Sequence, residues 1–167
     1  YFSFKGMIEK PLIPKLVVMF ILGGLQGLLG WYMVKSGLVD QPHVSQYRLT
    51  AHLGLAFIIY GYLLWIALDL LFPTSHLTSP TQPRWLRSWS FMITALVFIT
   101  ALAGGLVAGL KAGFVYNTFP LMGGHWIPDE ILGLSPLWRN FFEDIPTVQF
   151  DHRLLATLLC ILIPLFW

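Results

Sequence analysis

The 167-residue chain contains 56% hydrophobic and only 11% charged residues, far from the averages of soluble domains, which predicts an integral membrane protein. Its net charge of +2, carried by scattered basic residues, excludes a nucleic-acid-binding surface. The single cysteine, Cys160, excludes an internal disulfide and a cysteine metal cluster.

Four apolar runs, at about 16–34, 49–72, 89–110 and 147–167, are long enough to cross a hydrocarbon core of about 30 Å as helices. The predicted fold class is therefore all-α, a transmembrane helical bundle. The chain begins at Tyr1 without a methionine and ends at Trp167 inside the last apolar run. We therefore expect it to be a piece of a longer protein.

The distribution of lysine and arginine predicts which loops face which side of the membrane. Basic residues near the span ends place residues 1–15 and the 73–88 linker on the cytoplasmic or matrix side. The loop between the first two runs and the long 111–146 loop then face outward.

Two histidines lie at the outer ends of predicted spans and share a similar sequence context. His52 and His152 each have an alanine four residues later, Ala56 and Ala156, one helical turn deeper on the same face. A small residue beneath an imidazole leaves room for a flat macrocycle, and equally for a neighbouring helix. Because histidine is a good axial ligand of haem iron, the pair predicts one shared haem, two separate haems, or close helix packing.

Arginines accompany both histidines. Arg48 lies one turn before His52, and Arg153 follows His152 directly. Each is a candidate partner for haem propionates, and each is equally placed to anchor the helix at lipid headgroups. Asp151, beside His152, is a candidate partner of Arg153 or of an imidazole.

Glycines line one face of the first and third runs, which predicts close helix contact or a cofactor lying against the backbone; they are Gly23, Gly24, Gly27, Gly30, Gly104, Gly105 and Gly109. The outer 112–144 segment is rich in aromatic residues, which is typical of a lid over a site or of a loop resting at the membrane interface. Within it, Ser135 as a cap and Pro136 at the first helical position predict a short helix over 136–142.

Four stretches together resemble the haem A synthase family, in the form found in mitochondria and related bacteria. They are QGLLGWYMVKSG at 26–37, VSQYRLTAHLG at 44–54, AGFVYNTFPLMG at 112–123 and PTVQFDHR at 146–153. The resemblance implies an eight-helix membrane protein made of two similar four-helix halves. Residues 1–72 then end the amino-terminal half, 73–88 form the linker, and 89–167 begin the carboxy-terminal half.

By the same resemblance, His52 and His152 are axial ligands of haem iron, with Arg48 and Arg153 among the cofactor-binding residues. His52 matches the half that binds the substrate haem, and His152 the half that holds haem b. The implied reaction oxidises a methyl group of haem O to the formyl group of haem A for terminal oxidases. The family's catalytic glutamate and the second axial histidines match no residue of this chain, so we expect the 167 residues alone to be inactive.

The implied partners are haem O, an electron donor protein, membrane lipids, and either haem O synthase or a second copy of the chain. The implied location is the bacterial plasma membrane or the mitochondrial inner membrane, with the haem sites towards the outer face. Two alternatives stay open from the residues alone. They are a b-type cytochrome that carries electrons in the membrane, and a non-catalytic helical bundle.

Overall fold

The computed structural model describes residues 9–35, 44–72 and 83–167. Its helices are α1 (Leu12–Lys35), α2 (Gln46–Leu71), α3 (Arg84–Gly109), α4 (Asn140–Glu143) and α5 (Ile145–Phe166), with short 3-10 turns at Ala112–Phe114 and Leu137–Arg139. α1, α2, α3 and α5 are each long and apolar enough to cross a membrane. The prediction of an all-α protein with four membrane-spanning helices is confirmed.

Several helices begin before the apolar runs that predicted them. α2 begins at Gln46 and α3 at Arg84, so Arg48, Arg84 and Arg87 are helical. Hydropathy marks only the part of a helix inside hydrocarbon, whereas backbone hydrogen bonding continues into the polar interface. The last residues of the expected 73–88 linker therefore belong to α3, and residues 73–82 lie outside the described ranges.

The main helix contacts follow chain order, with α1 on α2, α2 on α3, and α3 on α5. Few side chains are buried; among them are Ile66, Leu106 and Leu159, one from each of α2, α3 and α5. Most large apolar side chains of the spans are exposed on the helix surfaces. Such surfaces suit a lipid environment, where helices associate by close packing rather than by hiding apolar area from water.

The α2–α3 contact depends on glycine. A Cβ at Gly105 would lie 2.9 Å from Oγ1 of Thr50, and one at Gly109 would overlap the Cα of Gln46. The predicted small-residue contact is confirmed on α3, where these two glycines are four residues apart on one face. For Gly23, Gly24 and Gly27 of α1 it stays a prediction, since no described atom lies within 4 Å of a Cβ placed there.

An ion pair joins the start of α1 to the end of α2. Lys15 pairs with Asp69, and the Tyr62 hydroxyl donates to the Lys15 carbonyl at 3.3 Å. The only acidic residue of the second apolar run is therefore neutralised near the membrane surface rather than left alone in hydrocarbon.

The outer segment is organised around Asn140, which has no exposed surface. Its amide donates to the carbonyls of Leu134 and Leu137 at 2.8 and 2.9 Å, and its Oδ1 accepts from the Leu134 N–H at 2.8 Å. The predicted short helix is present as the Leu137–Arg139 turn followed by α4. The predicted Ser135 cap is wrong, because Pro136 occupies the capping position and no side chain caps the turn.

α4 is tied to the start of α2 across the outer surface. Glu143 accepts a hydrogen bond from the Tyr47 hydroxyl at 2.8 Å and one from Arg139 Nε at 2.9 Å. The hydrogen bond from Arg139, followed by that from Tyr47, holds the pKa of Glu143 below its usual range. This link joins the segment that leads into α5 to the helix that carries His52.

We expect Asn140→Ala to destabilise the outer segment by about 2–4 kcal/mol, because three buried backbone groups lose their partner. Hydrogen exchange at the Leu134 amide should accelerate accordingly. Asn117→Ala is the matched control, since Asn117 is exposed, and it should change stability by less than about 0.5 kcal/mol. Equal effects of the two substitutions would contradict the role of Asn140.

We expect acid to weaken the link between α4 and α2. A carboxyl whose pKa is lowered by folding stabilises the folded state above its unfolded pKa, and this stabilisation is lost as the pH falls through its folded pKa. Protection of the α4 amides from hydrogen exchange should therefore fall on acidification. In the Glu143→Gln variant, protection should not change over the same pH range. An equal fall in protection in that variant would show that a group other than Glu143 titrates.

Candidate functional site

His52 lies in the contact between α1 and α2, about two turns below the outer start of α2. Six residues separate it from Gln46, a depth of roughly 9 Å along the helix. A Cβ at Gly30 would lie 3.1 Å from Cε1 of the His52 ring. The ring therefore rests directly on the α1 backbone, and we call this contact, formed by Gln26, Gly30 and His52, the first seam.

His152 occupies an equivalent place between α3 and α5. It lies seven residues after Ile145, roughly 10 Å along α5. A Cβ at Gly104 would lie 3.1 Å from Cε1 of the His152 ring, the same distance as in the first seam. We call this contact between Gly104 and His152, together with Thr100 one turn before Gly104 on α3, the second seam.

The two seams repeat one arrangement. In each, a glycine five residues before the end of one helix supports the ring of a histidine two turns into the next long helix. The rings rest on different helices, Gly30 belonging to α1 and Gly104 to α3. Of the arrangements left open by the sequence, this geometry favours two separate histidine sites over one shared site.

Both imidazoles have unsatisfied polar atoms. Nδ1 of His52 and Nδ1 of His152 are buried without a hydrogen-bond partner. Within the described residues no group of three histidine, cysteine or acidic side chains converges to hold a metal ion. A ligand that needs a single imidazole from each seam fits these surroundings better than a bare metal ion does.

Gln26 distinguishes the first seam from the second. Its Nε2 lies 3.4 Å from Nε2 of His52 and donates to the His52 carbonyl at 3.1 Å. Thr100 holds the corresponding position four residues before Gly104, and its hydroxyl donates to the Leu96 carbonyl of its own helix at 2.8 Å. Sequence reasoning quoted Gln26 without assigning it a role, although its spacing from Gly30 places both on one face of α1.

Arg153 holds the outer segment against α5. Its guanidinium donates to the carbonyls of Tyr116 at 2.6 Å, Thr118 at 2.7 Å and Leu121 at 3.4 Å. The side-chain amide of Gln149 donates to the same Tyr116 carbonyl at 2.7 Å. Among the described residues Asp151 forms no ion pair with Arg153, so its expected pairing is not observed.

Arg48 and the start of α5 complete the outer ends of the seams. The Arg48 guanidinium lies 4.9 Å from the centre of the Tyr32 ring, which joins the outer ends of α1 and α2.

At α5, the Asp144 carboxylate caps the helix by accepting from the Thr147 N–H at 3.2 Å. This cap fixes where α5 begins and therefore the depth of His152.

The whole chain, residues 1–167, matches the family described as Cytochrome oxidase assembly protein. The chain belongs to this family. It is 60% identical over its full length to a protein of Nitrosospira multiformis named Heme A synthase, of which it covers 47%. It is 50% identical over 93% of its length to Heme A synthase COX15 of Mus musculus, of which it covers 39%.

The resemblance inferred from the four sequence stretches is confirmed by these relatives. The chain spans about half the length, or less, of the curated relatives that it matches. No solved structure matches it.

We expect Gly30→Ala and Gly104→Ala each to destabilise the protein by about 1–3 kcal/mol, because the new methyl group displaces a half-buried histidine ring. Gly27→Ala is the matched control on α1, since nothing described lies within 4 Å of its Cβ position. It should be neutral or stabilising by up to about 1 kcal/mol, because alanine favours the helix over glycine. Thermal unfolding in detergent measures all three, and a destabilised Gly27→Ala would contradict the seam as the cause.

Proposed function

We propose that this chain acts within a haem A synthase, a membrane oxidoreductase that oxidises a methyl group of haem O to the formyl group of haem A. The observation that carries the proposal is the pair of equivalent seams, each presenting one histidine ring on a glycine. Membership of the family and the names of the relatives support the same conclusion. The haem A is destined for terminal oxidases.

The residues of the seams fit haem as a ligand. A neutral imidazole nitrogen binds haem iron directly. Nδ1 of His152 and Nδ1 of His52 are both buried without a hydrogen-bond partner among the described residues. The glycines beside the rings leave room for each imidazole directly against the neighbouring helix backbone.

We propose His52 and His152 as axial ligands of two different haems. His52 would hold the substrate haem O and its product haem A, and His152 would hold haem b. Haem, when bound, supplies the iron for redox chemistry. The protein's own contribution is to hold each imidazole in one orientation, which the close contacts with Gly30 and Gly104 support.

Arg48 and Arg153 are proposed to meet the haem propionates at the outer ends of the seams. Arg153 also anchors the outer segment through three backbone carbonyls. A propionate near Arg153 would therefore be adjacent to that segment as well as to α5. This arrangement supports the outer segment as the cover of the second seam.

The wider architecture is proposed on the resemblance. Residues 1–72 would end one four-helix half, 73–88 would link the halves, and 89–167 would begin the second half. Each seam offers one histidine in the part of the chain that the structure describes. The 167 residues expressed alone are therefore proposed not to convert haem O.

The membrane context is supported by the four spans. We propose the bacterial plasma membrane or the mitochondrial inner membrane, with both haem sites towards the outer face. The proposed partners are an electron donor protein and either haem O synthase or a second copy of the chain.

We expect His52→Ala, in the natural protein that carries this chain, to lower haem A formation from haem O by more than about tenfold, because an iron ligand is lost. His152→Ala should lower the haem b absorption of the purified protein. Chromatography of extracted haems and absorption spectra measure the two effects. His125→Ala is the control, since the His125 side chain is exposed in the outer segment, where its ring lies 3.8 Å from the Asp129 carboxylate.

The same experiment distinguishes a haem A synthase from a b-type cytochrome and from a non-catalytic helical bundle. Haem absorption without haem A formation in the unsubstituted protein would indicate a b-type cytochrome. Absence of haem from the purified protein would indicate a non-catalytic bundle. Either result would overturn the proposed function.

A further inference from the structure

The first seam contains a contact that the second lacks. In the first, the Gln26 side-chain amide faces both the ring and the carbonyl of His52. In the second, Thr100 donates to the Leu96 carbonyl within α3, and no side chain of the described residues is hydrogen-bonded to the His152 ring. Two sites built on one plan thus differ at the position held by Gln26 in one and by Thr100 in the other.

The hydrogen bonds of Gln26 indicate the tautomer of the neutral His52 ring. The His52 carbonyl can only accept, so the atom 3.1 Å from it must be the Gln26 amide nitrogen. The same nitrogen lies 3.4 Å from Nε2 of the ring, where its second N–H donates to a lone pair. The ring proton is then on Nδ1, and Nε2 carries the lone pair that an iron atom would use.

This arrangement leaves polar atoms unsatisfied. Oε1 of Gln26 and Nδ1 of His52 are both buried without partners. Buried polar groups without partners are uncommon and costly, so a contact that leaves two of them is poised to rearrange when a ligand enters. An iron atom at Nε2 would take the lone pair to which Gln26 donates.

We propose that Gln26 competes with haem iron for the Nε2 lone pair of His52, which makes the first seam a haem-exchanging site and the second seam, without a competitor, a haem-retaining site. The inference rests on the proposed function, in which His52 and His152 are the iron ligands. It assigns the exchanging role to the site that must accept a substrate haem and release a product haem. Gln26 is in this sense a positioning residue that acts through His52.

The test measures haem dissociation from each seam separately in the natural protein that carries this chain. The His152→Ala background isolates the first seam, which is loaded with haem O, and the His52→Ala background isolates the second, which is loaded with haem b. Loss of haem to excess apomyoglobin is followed by absorption. Gln26→Thr places the second-seam residue in the first seam, and Gln26→Met keeps the side-chain length but removes the donor.

We expect both Gln26 variants to slow haem loss from the first seam by about fivefold, since one neutral hydrogen bond no longer competes with iron. Thr100→Gln should accelerate loss from the second seam by a similar factor. A purely structural role for Gln26 predicts the opposite sign, because a weakened α1–α2 contact would accelerate haem loss. Unchanged or faster loss in both Gln26 variants would overturn the proposal.

Two further outcomes keep the proposal distinct from the function on which it rests. If His52→Ala leaves the haem content unchanged, the ligand assignment fails and the Gln26 proposal fails with it. If His52→Ala removes haem but the Gln26 variants lose haem at the original rate, only the Gln26 proposal fails. If Thr100→Gln does not fold, the haem-loss rates of the two Gln26 variants test the proposal without it. Gly27→Ala is the control for a substitution on α1.

Discussion

The contact of a histidine ring with a glycine backbone is the constraint on which the rest of this structure depends. At Gly30 and at Gly104 the ring lies so close that a methyl group would be 3.1 Å from it. Such proximity requires that α1 and α2 approach closely at the level of His52, and that α3 and α5 do so at the level of His152. The short hydrogen-bonded connections at the outer surface, including the Asp144 cap and the Arg153 contacts, keep the histidine of α5 at that depth.

The proposed chemistry follows from the repetition of this contact rather than from any single residue. One histidine in a membrane helix is more often a satisfied polar residue than a ligand. Two histidines in equivalent seams, each with a buried nitrogen that no described residue satisfies, are better explained by a ligand that both seams are built to hold. The difference at Gln26 and Thr100 then offers a physical reason why two similar sites should treat that ligand differently.

The outer segment is held to the two helices that carry the histidines. Asn140 holds its turns together, Glu143 links it to Tyr47 on α2, and Arg153 fixes it to α5. The segment is therefore hydrogen-bonded to both histidine-bearing helices. The aromatic content of this segment suggested either a lid over a site or a loop resting at the membrane interface. The same hydrogen bonds would anchor the segment in either case.

The sequence by itself determined the membrane class, the four spans, the family and the two histidines, because hydropathy and local motifs are properties of consecutive residues. It did not show that Gly23, Gly24 and Gly27 lack described neighbours while Gly30 supports a ring, since all four carry the same local signal. Only the tertiary structure decided which glycine meets which histidine, that Arg153 binds backbone carbonyls, and that Gln26 faces His52. Those facts depend on how separate helices rotate and approach one another, which spacing along one helix does not specify.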